Sequence, residues 1–143
     1  MKIGLVDVFV DDQDRARDFY TGKLGLEVEM DAAYGPGARW LTVVSPEDRD
    51  GTQLLLAPIN DAARALQAAR RDSGTPAVSF TTDDCQRTYG ELSARGVVFL
   101  SEPQEMGYGG IDAVFEDGCG NLLNLHQDHP TPSPAEPPPT TSQ

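Results

Sequence analysis

Val8-Phe9-Val10-Asp11-Asp12-Gln13-Asp14-Arg15-Ala16-Arg17-Asp18-Phe19-Tyr20, followed by Gly25-Leu26-Glu27-Val28, has an echo in the same chain. The echo is Val78-Ser79-Phe80-Thr81-Thr82-Asp83-Asp84-Cys85-Gln86-Arg87-Thr88-Tyr89, followed by Gly96-Val97-Val98-Phe99, at an offset of about 71 residues. Each copy passes from an apolar strand through an acidic helix cap and one amphipathic helix to a glycine and a second strand. Self-similarity on this scale is the signature of a duplicated supersecondary unit. It predicts two modules related by a pseudo-twofold axis, whose facing sheets enclose a cavity where a small ligand binds.

Working outward from the repeat, Ile3, Leu5, Asp7 and Phe9 alternate onto one face of a first strand over about 2–10, taken as the cavity face. Asp11-Asp12-Gln13-Asp14 supplies capping oxygens and favourable charge for a helix over about 12–22, with Ala16, Phe19 and Tyr20 as its buried stripe. Gly25 stops that helix, and strands are expected at 26–30, 39–44 and 52–57, with a loop at Tyr34-Gly35-Pro36-Gly37. A linker helix over about 61–72 leads to the second module, with strands at 76–81, 97–100, 111–116 and 121–126 and a helix over 83–95. The expected fold class is therefore α+β, two βαβββ modules in tandem (about 1–60 and 75–127) forming curved mixed sheets around a cavity. Residues 128–143, with six prolines, three threonines and two serines, read as a disordered Pro-rich tail.

The chain of 143 residues has the length of one ordinary domain. Its formal net charge of -12 opposes binding to nucleic acid or to an anionic membrane surface, because phosphates are repelled. Cys85 and Cys119 form no C-x-x-C pair and no disulfide-rich pattern, which favours a reducing cytoplasm and leaves a Cys85–Cys119 pairing open. No signal-peptide core and no run of membrane-spanning length is present.

The segment from Asp12 to Tyr20 continuing through Lys23-Leu24-Gly25-Leu26-Glu27-Val28 resembles the opening pattern of the vicinal oxygen chelate superfamily, which includes glyoxalase I, extradiol dioxygenases and bleomycin-resistance-type binding proteins. Phe115-Glu116-Asp117-Gly118-Cys119-Gly120-Asn121 is similar to its closing turn, with Gly118 where proline is usual. Arg39-Trp40-Leu41-Thr42-Val43 and Tyr108-Gly109-Gly110-Ile111-Asp112-Ala113 resemble a group of small glyoxalase-like bacterial proteins, and the resemblance runs over about 3–127. It implies one scaffold and several chemistries, separated by the metal ligands.

In the metalloenzymes of that superfamily four strand positions supply His, Glu or Gln. The resemblance carries these onto Leu5, Leu55, Pro76 and Asn124. Two leucines and a proline offer no side-chain lone pair and an amide oxygen is a weak neutral ligand, so no metal and no other cofactor is expected. A slip of one residue gives Val6, Leu54 or Leu56, Ala77 and Leu123 or Leu125, which is no richer in donors. A slip of two gives Asp7 and His126, with Ala57 and Val78 as their mates.

The expected cavity lining is Phe9, Trp40, Gln53, Leu55, Phe80 and Asn124 from the strands, with Met106 and Tyr108 at the rim and Asp112 on a late strand. This mixture of apolar surface and a few polar groups suits a hydrophobic or aromatic small molecule. Trp40 either stacks on that guest or fills the core. Resemblance to the bleomycin-resistance type implies sequestration of an antibiotic or related natural product without a metal, in a homodimer whose modules complete each other's pockets. The alternative is a glyoxalase- or dioxygenase-like lyase or isomerase, metal-dependent or using Asp7 and His126 as an acid–base pair. A third reading is an interaction protein whose own side chains fill the cavity.

Overall fold

Alternation and capping place the elements. β1 (Leu5–Val10) ends at Asp11-Asp12, and the Asp12 carboxylate accepts from the Arg15 N–H at 3.0 Å to start α1 (Gln13–Arg17). The computed structural model describes residues 1–129. After α1 the helix continues as a π-helical turn over Asp18–Lys23, followed by β2 (Glu27–Gly35), β3 (Ala38–Val44), β4 (Gln53–Pro58) and α2 (Asp61–Ser73). The second half contains β5 (Val78–Thr81), α3 (Cys85–Ala94), β6 (Gln104–Glu105), β7 (Ile111–Glu116) and β8 (Leu122–Gln127). All but Asp128 and His129 of the expected Pro-rich tail lies outside the described residues.

Each half forms a four-stranded sheet, ordered β1-β4-β3-β2 in the first and β5-β8-β7-β6 in the second. The first and fourth strands of each module run parallel and the remaining pairs antiparallel, so both sheets are mixed. This is the tandem βαβββ arrangement that the repeat predicts. One face of each sheet packs on the helices: Val8, Val10, Leu41, Val43, Leu54 and Leu56 join Phe115, Leu123 and Leu125 in a single core with Phe19, Tyr20 and Leu92. Full burial of side chains this size stabilises by roughly 1.5–3 kcal/mol each before entropy is counted.

The repeat is not in constant register. The helix caps Asp12 and Asp84 lie 72 residues apart, whereas the closing glycines Gly25 and Gly96 lie 71 apart. The π-helical turn accounts for the extra residue in the first copy: the Leu26 N–H donates back six residues to the Tyr20 carbonyl, whereas the Val97 N–H donates back five to that of Leu92. The strand before the helix therefore follows the 72 spacing, which makes Ala77 and Ser79 the mates of Leu5 and Asp7.

Three sequence expectations change as a result. Phe80 is the mate of core residue Val8; its ring lies 6.5 Å from Phe115 on the helix-packed face and does not line the opposite face of the sheet. Val78 faces the core with it. Pro76 is displaced by Ala77 as the third of the four inherited ligand positions. A one-residue slip inverts every side chain of a strand, and this is what moves Phe80 from the open face to the core, while Pro76 and Val78 both border a cavity of the second module.

The strand expected over 97–100 is reduced to a single bridge between Phe99 and Phe115, and regular pairing resumes only at β6. Ser101 Oγ there accepts from the Val114 N–H at 3.0 Å in place of a main-chain carbonyl, and Pro103 has no N–H to offer. The opposite happens in the first module, where β2 runs through the expected loop as far as Gly35.

The modules are tied together at the closing turn. Buried Asp117 accepts from Tyr20 Oη (2.7 Å), Asn121 Nδ2 (2.7 Å) and the N–H groups of Cys119 and Asn121. Gln67 Nε2 on α2 donates to the carbonyls of Phe9 and Cys119, joining β1 to the same turn.

Candidate functional site

The face of each sheet turned away from the core is open, and it carries the polar and aromatic residues. In the first sheet Trp40 and Met30, with Ala32 and Tyr34, line an apolar hollow of about 490 Å³. Trp40 is half-buried there, edge-to-face with Tyr34 at 6.5 Å, so it stands on the open face and not in the helix-packed core. Leu55 and Gln53 share this face through their pairing with Asp7 and Leu5, and neither lines the hollow. Asp7 and Phe9 instead border a smaller cavity of about 140 Å³ against α2, beside Leu66, Gln67 and Arg70.

The second sheet carries a cavity of about 530 Å³ that gathers Met106, Tyr108, Asp112 and Asn124, together with Pro76, Ser79, Ser101 and Gln104. β7 and β8 place Asp112 directly opposite His126. His126 Nδ1 lies 2.6 Å from Asp112 Oδ1, His126 Nε2 lies 2.7 Å from Asp128 Oδ1, and Tyr108 Oη donates to the other Asp112 oxygen. The two carboxylates hold the imidazole above its ordinary value of 6.5, chiefly through the Asp112 hydrogen bond. His126 therefore has Asp112 and Asp128 as its partners, whereas Asp7 sits in the α2 cavity of the other module.

Asp112 was foreseen only as a ligand contact. Its pairing with His126 follows from counting β7 and β8 outward from the closing turn at 117–121, a signal present in the sequence. Ser79, Ser101 and Gln104 carry no motif, and only the sheet register brings them to the cavity.

The positions that the resemblance assigns to metal ligands hold Leu5, Leu55, Asn124 and, with Pro76 replaced by its neighbour under the 72-residue spacing, Ala77; of these only Asn124 has a side-chain donor atom. This set does not fit a divalent cation. Among the described residues no three His, Cys, Asp or Glu side chains are grouped so as to hold a metal ion. Both cysteines are buried free thiols, which closes the question of a bridge between them. Burial, then Asp117, pushes the Cys119 thiol up to about 12. Among the described residues no helix is long and apolar enough to cross a membrane.

The comparisons agree with this architecture. The family model "Glyoxalase/Bleomycin resistance protein/Dioxygenase superfamily" matches residues 2–125. The uncharacterized protein YurT of Bacillus subtilis (strain 168) is 46% identical over 128 residues, covering 89% of this chain and 99% of that protein. The crystal structure of UcmS2 is similar at a TM-score of 0.75 and 29% identity, covering 88% of this chain and 97% of that one. TnmS3, an antibiotic binding protein from Streptomyces sp. CB03234, is similar at a TM-score of 0.72 and 27% identity, covering 90% and 97%. A family match spanning nearly the whole described region, a relative sharing almost half its residues, and the tandem βαβββ sheets all lead to one assignment: the chain belongs to the glyoxalase/bleomycin resistance protein/dioxygenase superfamily.

Proposed function

We propose that this protein binds and sequesters a small aromatic or hydrophobic molecule, of the antibiotic or natural-product class, without a metal. The observation that carries the reading is the pair of open sheet faces. Each bears a cavity of ligand size, and their large apolar side chains are exposed: Met30 at 50%, Tyr34 at 68% and Tyr108 at 68%. Apolar surface grouped in this way is unusual on a monomer unless something covers it. The occupant is a second copy of the chain, whose second-module cavity faces the first-module hollow, so that the guest lies between Trp40 on one side and Asn124 on the other. Similarity to TnmS3 supports the ligand class, and the poverty of donor atoms at the inherited positions supports binding without a metal. The cytoplasm is the proposed compartment.

Thermal-shift screening against aromatic antibiotics tests this. A guest with dissociation constant Kd raises stability by RT ln(1 + [L]/Kd), so the melting point climbs with ligand concentration. Native mass spectrometry counts guests per dimer. Purified protein holding close to one equivalent of iron, nickel or zinc would overturn the reading.

The Asp112–His126 pair favours a second reading, a metal-free isomerase or lyase in which Asp112, at the cavity wall and backed by His126, moves a proton on the bound molecule. Replacing His126 with Gln separates the two. Pure binding survives the substitution nearly intact, whereas turnover is lost.

A further inference from the structure

The turn between β3 and β4 is the mate, in the repeat, of the closing turn between β7 and β8, and the two meet the other module's helix differently. Thr42 pairs with Leu55 as Val114 pairs with Asn124, so β3 and β7 keep the 72-residue spacing and Ser45 is the mate of Asp117. The helices follow the same count from their caps: Leu92 is the mate of Tyr20, and Arg87 that of Arg15.

At the closing turn a phenol fills the space between sheet and helix. Tyr20 is fully buried with its Oη on Asp117 at 2.7 Å, and Arg15 reaches across to the Gly118 carbonyl at 2.9 Å. At the matching place in the other half Leu92 and Ser45 replace Tyr20 and Asp117, and both are smaller. A ring lost from a packed site leaves space, because the surroundings collapse only in part. A cavity of about 460 Å³ lies there, lined by Ser45, Arg87 and Leu92 with Leu24, Leu26 and Phe80.

This cavity opens onto the core. Phe80 stands on the core face of β5 and is nevertheless partly exposed, whereas its mate Val8 is only 2% exposed. Leu24 and Leu26, packed against the same core, are partly exposed as well. Apolar surface at the base of a cavity of this size suits a small molecule. At the rim Glu47, Asp83 and Glu91 nearly balance Arg87 and Arg95, which favours a neutral guest over an ion. The Thr82 and Thr88 hydroxyls that also line it bond to each other at 2.7 Å, and Ser45 holds the place of the carboxylate that accepts from Tyr20.

We propose that this cavity between the modules is a second small-molecule site, separate from the open sheet faces, and that it takes a neutral phenol. The guest's ring packs on Leu24, Leu26 and Phe80 as a substitute for the ring of Tyr20, and its O–H donates to Ser45 Oγ. The site stands independently of what the sheet faces bind.

Heteronuclear NMR of the full chain titrated with p-cresol tests this, beside p-methylanisole, which shares the ring and lacks the O–H. p-Cresol should move the backbone signals of Ser45, Thr82 and Leu92, and should bind about fivefold tighter than the ether, the gain from one hydrogen bond of ordinary strength. The double variant Ser45→Asp/Leu92→Tyr rebuilds the closing-turn contact inside the cavity and should weaken p-cresol by about tenfold or more, since the guest must displace a packed ring. Leu92→Phe fills the space without a buried polar pair and should act in the same direction. It also covers the case in which the double variant does not fold.

Shifts at Ser45 and Thr82 that are the same in wild type and in the filled variants overturn the inference, and equal affinity for the ether overturns the assignment of a phenol. Shifts confined to Trp40 and its neighbours overturn the second site and leave the reading of the sheet faces standing. No response to p-cresol at millimolar concentration overturns the second site as well.

Discussion

Gly110 decides whether His126 keeps its carboxylate partners, and replacing it with Ala tests that dependence. Gly110 is buried with φ near +123°, and a Cβ there would lie 2.6 Å from His126 Cε1, 3.1 Å from the Gln127 carbonyl oxygen and 3.4 Å from His126 Nε2. The first distance is about 1 Å inside ordinary carbon–carbon separation, so the ring must swing away. Swinging breaks its 2.6 Å bond to Asp112 and its 2.7 Å bond to Asp128. Backbone strain of about 1–3 kcal/mol at such a φ adds to about 1.5–3 kcal/mol for a lost charge-assisted bond, so a destabilisation of about 3 kcal/mol is expected. In a domain of this size that lowers the melting point by about 10 °C.

The effect carries a pH signature. His126 titrates above its ordinary 6.5 because of Asp112 first and Asp128 second. A raised folded-state value means that this stabilisation is fully present below the unfolded value near 6.5 and is lost as pH rises through the folded value. The difference in melting point between wild type and Gly110→Ala should therefore be largest near pH 5.5 and shrink above the folded value. NMR titration of the His126 ring proton, with His129→Gln to assign it, should show the variant's midpoint falling back toward 6.5. A variant melting within about 2 °C of wild type with an unchanged His126 titration would refute the reasoning.

Tyr20→Phe removes one of the four donors to buried Asp117 and should cost about 1.5–3 kcal/mol by chemical denaturation, with no change in guest binding. Cys85 and Cys119 are buried with raised thiol pKa values, so a thiol reagent at pH 8 should label neither in native protein and both after unfolding. A chelator should leave the melting point unchanged, because the inherited positions supply only Asn124 as a donor. On the proposed pairing of two copies, Tyr34→Glu sets a charge in the apolar hollow and should leave the protein monomeric in analytical ultracentrifugation, where wild type sediments as a dimer.

Both helix caps were legible in the residues themselves. Asp12 is the second residue of its acidic cluster and Asp84 the last of Asp83-Asp84, each just before an amphipathic stretch, and local hydrogen bonding is enough to place a cap there. Trp40 could be read as core or as ligand platform, because a single strand reveals alternation but not which face meets the helices. Phe80 went to the wrong face for a similar reason: the repeat looked uniform, and the π-helical residue that shifts it by one left no mark in the composition. The segment over 97–100 looked as strand-like as any other, and the interruption around Ser101 and Pro103 appears only once β7 lies beside it.

The sequence alone determined the duplicated plan, the acidic surface and the scarcity of metal-binding side chains on the inner strands. Each depends on residue identity or on contacts a few positions apart. The tertiary structure decided that Phe80 packs in the core, that Ser79, Ser101 and Gln104 meet at one cavity, and that Asn124 keeps an amide oxygen without a protein donor. Those facts depend on strand register, and register is set by packing between segments tens of residues apart, where one inserted residue reverses the face that every later side chain presents.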